Sequence, residues 1–228
     1  VGGALLDGAD GVLPLVGALA LPVRGRAVVL HGAGVDEAAA GEADGGRRLY
    51  ADWFAELAES LDTESRTGDQ PASLARLEDD YANFRAAING AREQRDGELL
   101  LRLVTALWPF WSTRGYVAEG RRALEDAFEL AGRRPARALL GLCSLRVFSA
   151  SGEGLLDDVH EALRAAEELG DPLTLAQAWN LLGRVEGTLM GAMAQAEEAW
   201  RQALDYAERG NLRAERATGL SKREWQRA

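Results

Sequence analysis

Apolar residues recur every four positions along one stretch of this chain. The repeating residues are Leu49, Trp53, Leu57 and Leu61. An interval of four places successive side chains on one face of an α-helix, so the pattern predicts an amphipathic helix over residues 47–61. The segment that follows, residues 63–70, is polar and is expected to be a loop.

A second amphipathic run begins at Pro71. Proline suits the first turn of a helix, where its missing N–H has no intrahelical partner to lose. Apolar residues then recur at spacings of three and four, at Leu74, Leu77, Tyr81, Phe84 and Ile88. This pattern predicts one continuous helix from Pro71 to about Gln94.

Three pairs of amphipathic runs follow the break at Asp96 and Gly97. The first pair covers residues 97–115 and 117–132, the second covers 135–150 and 155–169, and the third covers 172–189 and 192–208. The turn within the first pair is very short, so its two helices are expected to pack antiparallel. The apolar face of each pair would be covered by the next pair. The sequence therefore predicts an all-α fold of tandem antiparallel helical hairpins, stacked as a right-handed superhelix.

Two similar sequence blocks, about forty residues apart, support this repeat architecture. EALRAAEELGDP occupies residues 161–172, and QALDYAERGNL occupies residues 202–212. Each block holds an Ala-Leu pair in an amphipathic run that ends at Gly plus Asp or Asn. Such repeats indicate units that bury their apolar faces only against one another, and stacks of this kind usually serve as binding scaffolds.

The patterns divide the chain into four parts. Residues 1–46 are rich in Gly, Ala and Val, and their short apolar runs favour short helices and one hairpin. Residues 47–94 are predicted to form a helical connector, and residues 95–211 the three helix pairs. Residues 212–228 are predicted to form a C-terminal helical tail.

Net charge and hydropathy narrow the possible partners. The formal charge is −10 and the pI is near 4.8, which argues against direct nucleic-acid binding, because phosphate contacts need clustered Lys and Arg. The longest apolar stretch, residues 12–23, is interrupted by Pro14 and Pro22 and is too short to span a membrane. No signal-peptide pattern is present, and the chain begins with Val1. We therefore expect a cytoplasmic fragment of a longer protein.

Candidate chemical groups are few. The lone Cys143 excludes an internal disulfide and lies among leucines, so an inert core thiol is expected. Two histidines and one cysteine cannot supply the four ligands of a structural zinc site. His160, with Asp157 three residues earlier, is expected at the surface, and His31 in a loop. No catalytic, metal or cofactor residues are predicted, and no enzyme activity is expected.

Small residues occupy particular places in the third helix pair. Trp179, Leu182 and Gly183 form a Trp-x-x-Leu-Gly pattern, and Ala196 and Ala203 follow in the second helix. These residues resemble the tetratricopeptide repeat, in which Ala and Gly positions allow helices to approach closely. The pair carries one residue more than that repeat before its turn. The resemblance implies a scaffold that binds a protein or a small ligand.

The flanking sequence resembles a narrower class. LEDDYANFRAAI, at residues 77–88, is similar to a motif that precedes such repeats in bacterial signal-transducing NTPases of the STAND class, notably large LuxR-type transcriptional regulators. Residues 107–132 resemble the first repeat of that family, and residues 39–59 resemble the exit of its winged-helix subdomain. On this resemblance residues 25–30 would be the wing hairpin, and residues 1–46 a degenerate winged-helix-like remnant.

The nucleotide-binding half of that family is not found in this sequence. A Walker A loop needs glycines and a lysine to hold phosphates, and the only lysine, Lys222, has no such loop around it. GLSKREWQ, at residues 219–226, resembles the opening of a LuxR-type helix-turn-helix without its recognition helix, and a solvated terminal helix is the alternative. The resemblance implies neighbouring NTPase and DNA-binding domains in a longer parent chain.

One cluster is a candidate for binding a partner. Its residues are Trp108, Trp111, Arg114, Arg121 and Arg122. If the cluster lines the groove of the repeats, arginine forks and an aromatic floor would bind an acidic peptide or ligand. The alternative is core packing, because Trp108 and Trp111 are three residues apart and share a helix face.

Two hypotheses about function follow. The first is a sensor segment of a cytoplasmic transcriptional regulator, in which a protein or small-molecule effector binds the repeat groove. The second is a free-standing tetratricopeptide-type adaptor that brings proteins together without switching. Neither hypothesis involves direct nucleic-acid or membrane binding by this chain.

Overall fold

The computed structural model describes residues 18–23, 26–31, 37–67, 70–147 and 154–212. Two strands, β1 (Ala18–Val23) and β2 (Arg26–His31), pair antiparallel with Val23 opposite Arg26. The predicted hairpin is therefore confirmed. His31 ends the second strand instead of lying in a loop as predicted.

Nine α-helices follow in the described part of the chain. They are α1 (Glu37–Thr67), α2 (Gln70–Asp79), α3 (Tyr81–Glu93), α4 (Gly97–Arg114), α5 (Val117–Ala131), α6 (Ala136–Arg146), α7 (Leu155–Leu169), α8 (Pro172–Arg184) and α9 (Met193–Arg209). A π-helical segment, Val185–Leu189, continues α8. A π-helical turn holds one more residue than an α-helical turn. The extra residue that the sequence shows before the turn of the third pair lies close to this π-helical segment. The predicted tail beyond Leu212 and the predicted end of α6 at 148–150 lie outside the described residues.

The first helix is longer than its sequence pattern predicts. It begins at Glu37 instead of Arg47 and continues to Thr67, through most of the predicted loop at 63–70. A polar side chain near the end of this helix forms a hydrogen bond to the helix backbone: the Thr63 hydroxyl donates to the Glu59 carbonyl at 2.9 Å. The loop prediction was wrong for residues 63–67, because their polar groups are satisfied along the helix, and residues 68 and 69 lie outside the described residues.

The buried face of α1 is also shifted from the predicted stripe. Leu49 is 59% exposed, whereas Tyr50 and Phe54, which lie outside the predicted stripe, are buried. Of the other predicted positions, Leu61 is buried as expected, and Trp53 and Leu57 lie at the margin of this face. Helix α1 packs against α2, α3 and α4, so its neighbours decide which side is buried.

The predicted helix over residues 71–94 is two helices. Helix α2 ends at Asp79 and α3 begins at Tyr81, with Asp80 between them in a turn conformation. The Asp80 carboxylate accepts a hydrogen bond from the Asn83 side chain at 3.2 Å. Leu77 and Phe84 are both buried, so the apolar stripe runs across the break and gives no sign of it.

Capping residues in the sequence mark helix starts and ends within this part of the chain. The Asp96 carboxylate accepts from the backbone N–H of Leu99 at 3.1 Å, and the Asp171 carboxylate accepts from that of Thr174 at 3.0 Å. Gly115 follows α4 with φ of 81°, a left-handed conformation that suits glycine. Helix α5 begins at Val117, so the short turn within the first pair is confirmed, whereas residues 148–153 of the second pair lie outside the described residues.

The pairs stack on one another. Helix α4 packs against α1, α5 and α6, helix α6 packs against α5, α7 and α8, and α8 packs against α9. One apolar core joins α1 through α5 and reaches Leu145 of α6, and a second core joins α6 through α9. Phe128 contacts both cores. The predicted all-α fold of tandem helical hairpins is confirmed.

Glycines let these helices approach closely. A Cβ atom placed on Gly141 of α6 would lie 2.5 Å from Cγ of Trp108 on α4, so this contact joins two successive pairs. A Cβ atom on Gly183 of α8 would lie 2.5 Å from Nε1 of Trp200 on α9, within the last pair. Both distances are far below van der Waals contact, so the indoles occupy the space a side chain would need.

None of the described helices is both long and apolar enough to cross a lipid bilayer.

Candidate functional site

A groove lined by three arginines lies between α3 and α5. Its volume is about 410 Å³, and we call it the arginine groove. Its lining residues are Arg85, Ile88, Asn89, Arg92, Ala118, Glu119, Arg122 and Ala123. The α3 residues are spaced at helical intervals, so they follow one edge of the groove. Ile88 and Ala123 are buried and form an apolar floor.

The charges of the arginine groove are incompletely balanced. Arg85 Nε lies 2.9 Å from a carboxylate oxygen of Glu119, and Arg92 lies 2.8 Å from one of Asp126. Arg92 also donates to the Asn89 side-chain oxygen at 3.2 Å. Arg122 is exposed and makes no hydrogen bond or ion pair within the described residues. The groove lining therefore carries three guanidinium groups and one carboxylate, that of Glu119, while Asp126 pairs with Arg92 from outside the lining.

An aromatic cluster borders one end of the arginine groove. Tyr81 and Tyr116 stack with ring centroids 4.6 Å apart, and Trp111 Nε1 donates to the Tyr81 hydroxyl at 2.9 Å. Burial raises the pKa of Tyr81 above its ordinary value, and the negative charge of Glu119 adds to this rise. Glu119 therefore faces both the Tyr81 hydroxyl and Arg85, which joins the aromatic cluster to the groove.

The structure separates the five residues predicted to bind a partner. Trp111 is fully buried, and Trp108 packs against the apolar core and Gly141. Both tryptophans therefore hold helices together in this structure, as the core-packing alternative expected. Arg114 pairs with Glu78 at 3.1 Å, away from the groove lining.

Of the two adjacent arginines on α5, only Arg122 lines the arginine groove. Arg121 lies 3.9 Å from Glu125, one turn later on the same helix. Sequence reasoning missed Arg85 and Arg92, the groove's other two arginines. Their spacing of seven residues on one helix is the signal that could have grouped them.

A second cleft lies where α1, α4 and the start of α6 meet. Its volume is about 280 Å³, and its charged residues are largely paired with one another. The Asp62 carboxylate is only 5% exposed and lies 2.9 Å from both Arg66 and Arg137. Arg102 pairs with Glu59 at 2.9 Å across the same cleft. These internal pairs occupy the charges that a ligand would need, so this cleft is the weaker candidate for binding.

The remaining chemical candidates are single groups. Burial raises the pKa of the Cys143 thiol to about 12, so the thiol stays protonated near neutral pH. The pKa of Glu186 is raised by burial, and the charge of nearby His160 offsets part of this rise. Within the described residues, no group of three or more His, Cys, Asp and Glu side chains could hold a metal ion.

Comparison with known proteins gives one group of relatives. No protein-family model matches the sequence, and no solved structure matches it. The chain is 33% identical over 161 residues to proteins named as HTH-type transcriptional regulators from Mycobacterium bovis and from two strains of Mycobacterium tuberculosis. The similarity covers 64% of this chain and 18% of each relative. The chain thus matches only a small part of much longer proteins.

Proposed function

We propose that this chain is the signal-receiving helical-repeat segment of a cytoplasmic transcriptional regulator. The observation that carries the proposal is the 33% identity to longer HTH-type regulators, which extends over 64% of this chain. The stacked helical hairpins are an architecture that recognises partners by surface shape. In this proposal a protein or small-molecule effector binds the stack, and the response passes to other parts of a longer parent chain.

Close helix packing supports a tetratricopeptide-type repeat. In the third pair, Gly183 of the Trp-x-x-Leu-Gly pattern lies under the Trp200 indole, where a Cβ atom would approach to 2.5 Å. Ala196 and Ala203 are buried on the facing helix. The small residues that carry the resemblance thus lie at a helix contact, as that repeat requires. LuxR-type and STAND-type membership of the parent is part of the same proposal, and it rests on the motif at residues 77–88.

The proposed mechanism is a shift between two packing arrangements. An effector changes such an equilibrium only if it binds one arrangement more tightly than the other. Helix α1 contacts both the connector helices and the first helix pair, so it is placed to pass on a change in packing. Nucleotide hydrolysis and DNA binding would belong to the parent's other domains.

Recognition without catalysis is part of the proposal. The buried Cys143 thiol, with its pKa raised to about 12, is unsuited to act as a nucleophile. Carboxylates such as Glu59 and Glu119 are paired with arginines and are not poised as an acid and base couple. Both observations favour a binding role.

The test is transcript profiling after an in-frame deletion of codons 97–209 from the gene that encodes this chain. We expect a reproducible set of transcripts to change relative to the parent strain, with the shortened protein still detected by immunoblot. An Arg164→Glu allele serves as the control, because Arg164 is an exposed residue of α7 that lines neither the arginine groove nor the cleft between α1, α4 and α6. A deletion strain with an unchanged transcript profile would refute the regulator and favour the free-standing adaptor.

A further inference from the structure

We propose that the arginine groove binds an extended acidic peptide segment of a protein partner. This inference rests on the proposed function, because it assigns the partner-binding step to one surface of the chain. The surface is the groove between α3 and α5, and its cationic residues are Arg85, Arg92 and Arg122. Two helices supply these arginines, so the site exists only when α3 and α5 lie side by side.

The dimensions of the groove suit a peptide. Arg85 and Arg92 are seven residues apart on α3, which corresponds to about 10 Å along a helix. About three residues of extended chain cover the same length. Arg122 lies across the groove on α5. A short peptide with closely spaced carboxylates can therefore contact guanidinium groups on both walls.

The internal ion pairs leave the arginines available. Arg85 is 61% exposed, and its partner Glu119 is also partly open to solvent. Exposed pairs contribute little to stability, so water or another carboxylate exchanges readily with Glu119. Arg122 has no internal partner within the described residues, which gives an incoming carboxylate one guanidinium without competition. Bidentate arginine–carboxylate pairs are among the stronger charge-assisted hydrogen bonds.

Other anions fit the groove less well. A small ligand binds best in a cavity that encloses most of its surface, whereas Arg85 and Arg122 both lie open to solvent. Nucleic acid carries a dense line of phosphates that needs many clustered basic residues, whereas the groove lining supplies three arginines. A peptide with a few carboxylates carries less charge and adds apolar contacts to the floor formed by Ile88 and Ala123.

The test is fluorescence anisotropy with the full 228-residue chain. The probe is a fluorescein-labelled peptide of sequence Gly-Glu-Asp-Glu-Asp-Glu-Gly, and its partner probe replaces every acid with the corresponding amide. We expect saturable binding of the acidic probe only, weakened as NaCl rises. Arg122→Glu should weaken binding about tenfold or more, since it removes one charge-assisted contact and adds a repulsive charge.

Arg164→Glu is the matched control, because Arg164 is also an exposed helical arginine without an internal partner among the described residues. It makes the same charge change outside the groove. Both variants should keep the helical circular-dichroism signal of the unmodified chain. The inference is overturned if the acidic probe does not bind, if both variants weaken binding equally, or if the amide probe binds as well. It is also overturned if inorganic phosphate or a single-stranded oligonucleotide displaces the peptide at equal or lower concentration.

The outcomes separate this inference from the proposed function. If the deletion of codons 97–209 changes transcripts but the acidic probe fails to bind, the regulatory role stands and the groove is not its peptide site. If the probe binds as expected but the deletion leaves transcripts unchanged, the groove is a peptide site in a protein that is not a regulator.

Discussion

Replacing Gly141 by alanine should destabilise the fold at the contact between the first and second helix pairs. The added Cβ atom would lie 2.5 Å from Cγ and 2.7 Å from Cδ1 of Trp108, about 1 Å short of normal contact. These atoms lie near the backbone of α4, so the helices must move apart. Overpacking of this kind costs about 1–3 kcal/mol, while alanine gains about 0.5–1 kcal/mol in helix propensity. The midpoints of these two ranges leave a net loss of about 1 kcal/mol, which corresponds to a fall in Tm of roughly 2–4 °C.

Gly90→Ala is the matched control for this substitution. Gly90 also lies inside a helix, but no atom stands within 4 Å of the place its Cβ would take. Only the propensity gain should remain, so this variant should be more stable by about 0.5–1 kcal/mol. Urea denaturation followed by circular dichroism measures both changes. The reasoning is refuted if Gly141→Ala is as stable as the unmodified chain, or if the two variants shift the midpoint in the same direction.

Three further predictions concern buried groups. Asp62→Ala should lower the free energy of unfolding by about 2 kcal/mol in urea denaturation, because it leaves the Arg137 guanidinium without this carboxylate in a partly buried cleft. Glu98→Ala removes an exposed pair with Arg133 and should leave the urea midpoint unchanged. Cys143 should not react with an aromatic disulfide reagent at pH 8 until urea unfolds the chain, and rapid labelling of the native chain would contradict its burial. Burial raises the pKa of Cys143 from 9.0 to about 12, so the protonated thiol contributes fully to stability below pH 9. This contribution should be lost as the pH rises from about 9 to 12, and a Cys143→Ala variant should not show that loss.

The helix pairs were predictable because local signals mark both their ends and their faces. Asp96 and Asp171 cap helices through their own side chains, and Gly115 ends one with a left-handed backbone. Helix α1 was less predictable, since residues from three neighbouring helices decide which side is buried. Leu49 is exposed although it fits the apolar spacing, and Tyr50 beside it is buried.

The candidate site was only partly predictable. Arg122 was identified from its position among other arginines on α5, and it does line the arginine groove. Arg85 and Arg92 come from α3, which stacks against α5 only in the folded chain, and no local pattern joins the two helices. Trp111 looked like a binding residue because aromatic side chains serve both interfaces and cores. Gly120 decides between these roles, because its missing side chain leaves room for the Trp111 ring inside the fold.

Hydrogen exchange of the 228-residue chain, with and without the acidic probe peptide, tests the central claim most directly. The claim is that stacked helical hairpins form a recognition surface at the arginine groove. We predict slower amide exchange on peptide addition along residues 85–92 and 118–123, and an Arg122→Glu chain should need about tenfold more peptide for the same protection. Protection confined to the cleft between α1, α4 and α6, or no protection at saturating peptide, would contradict the account.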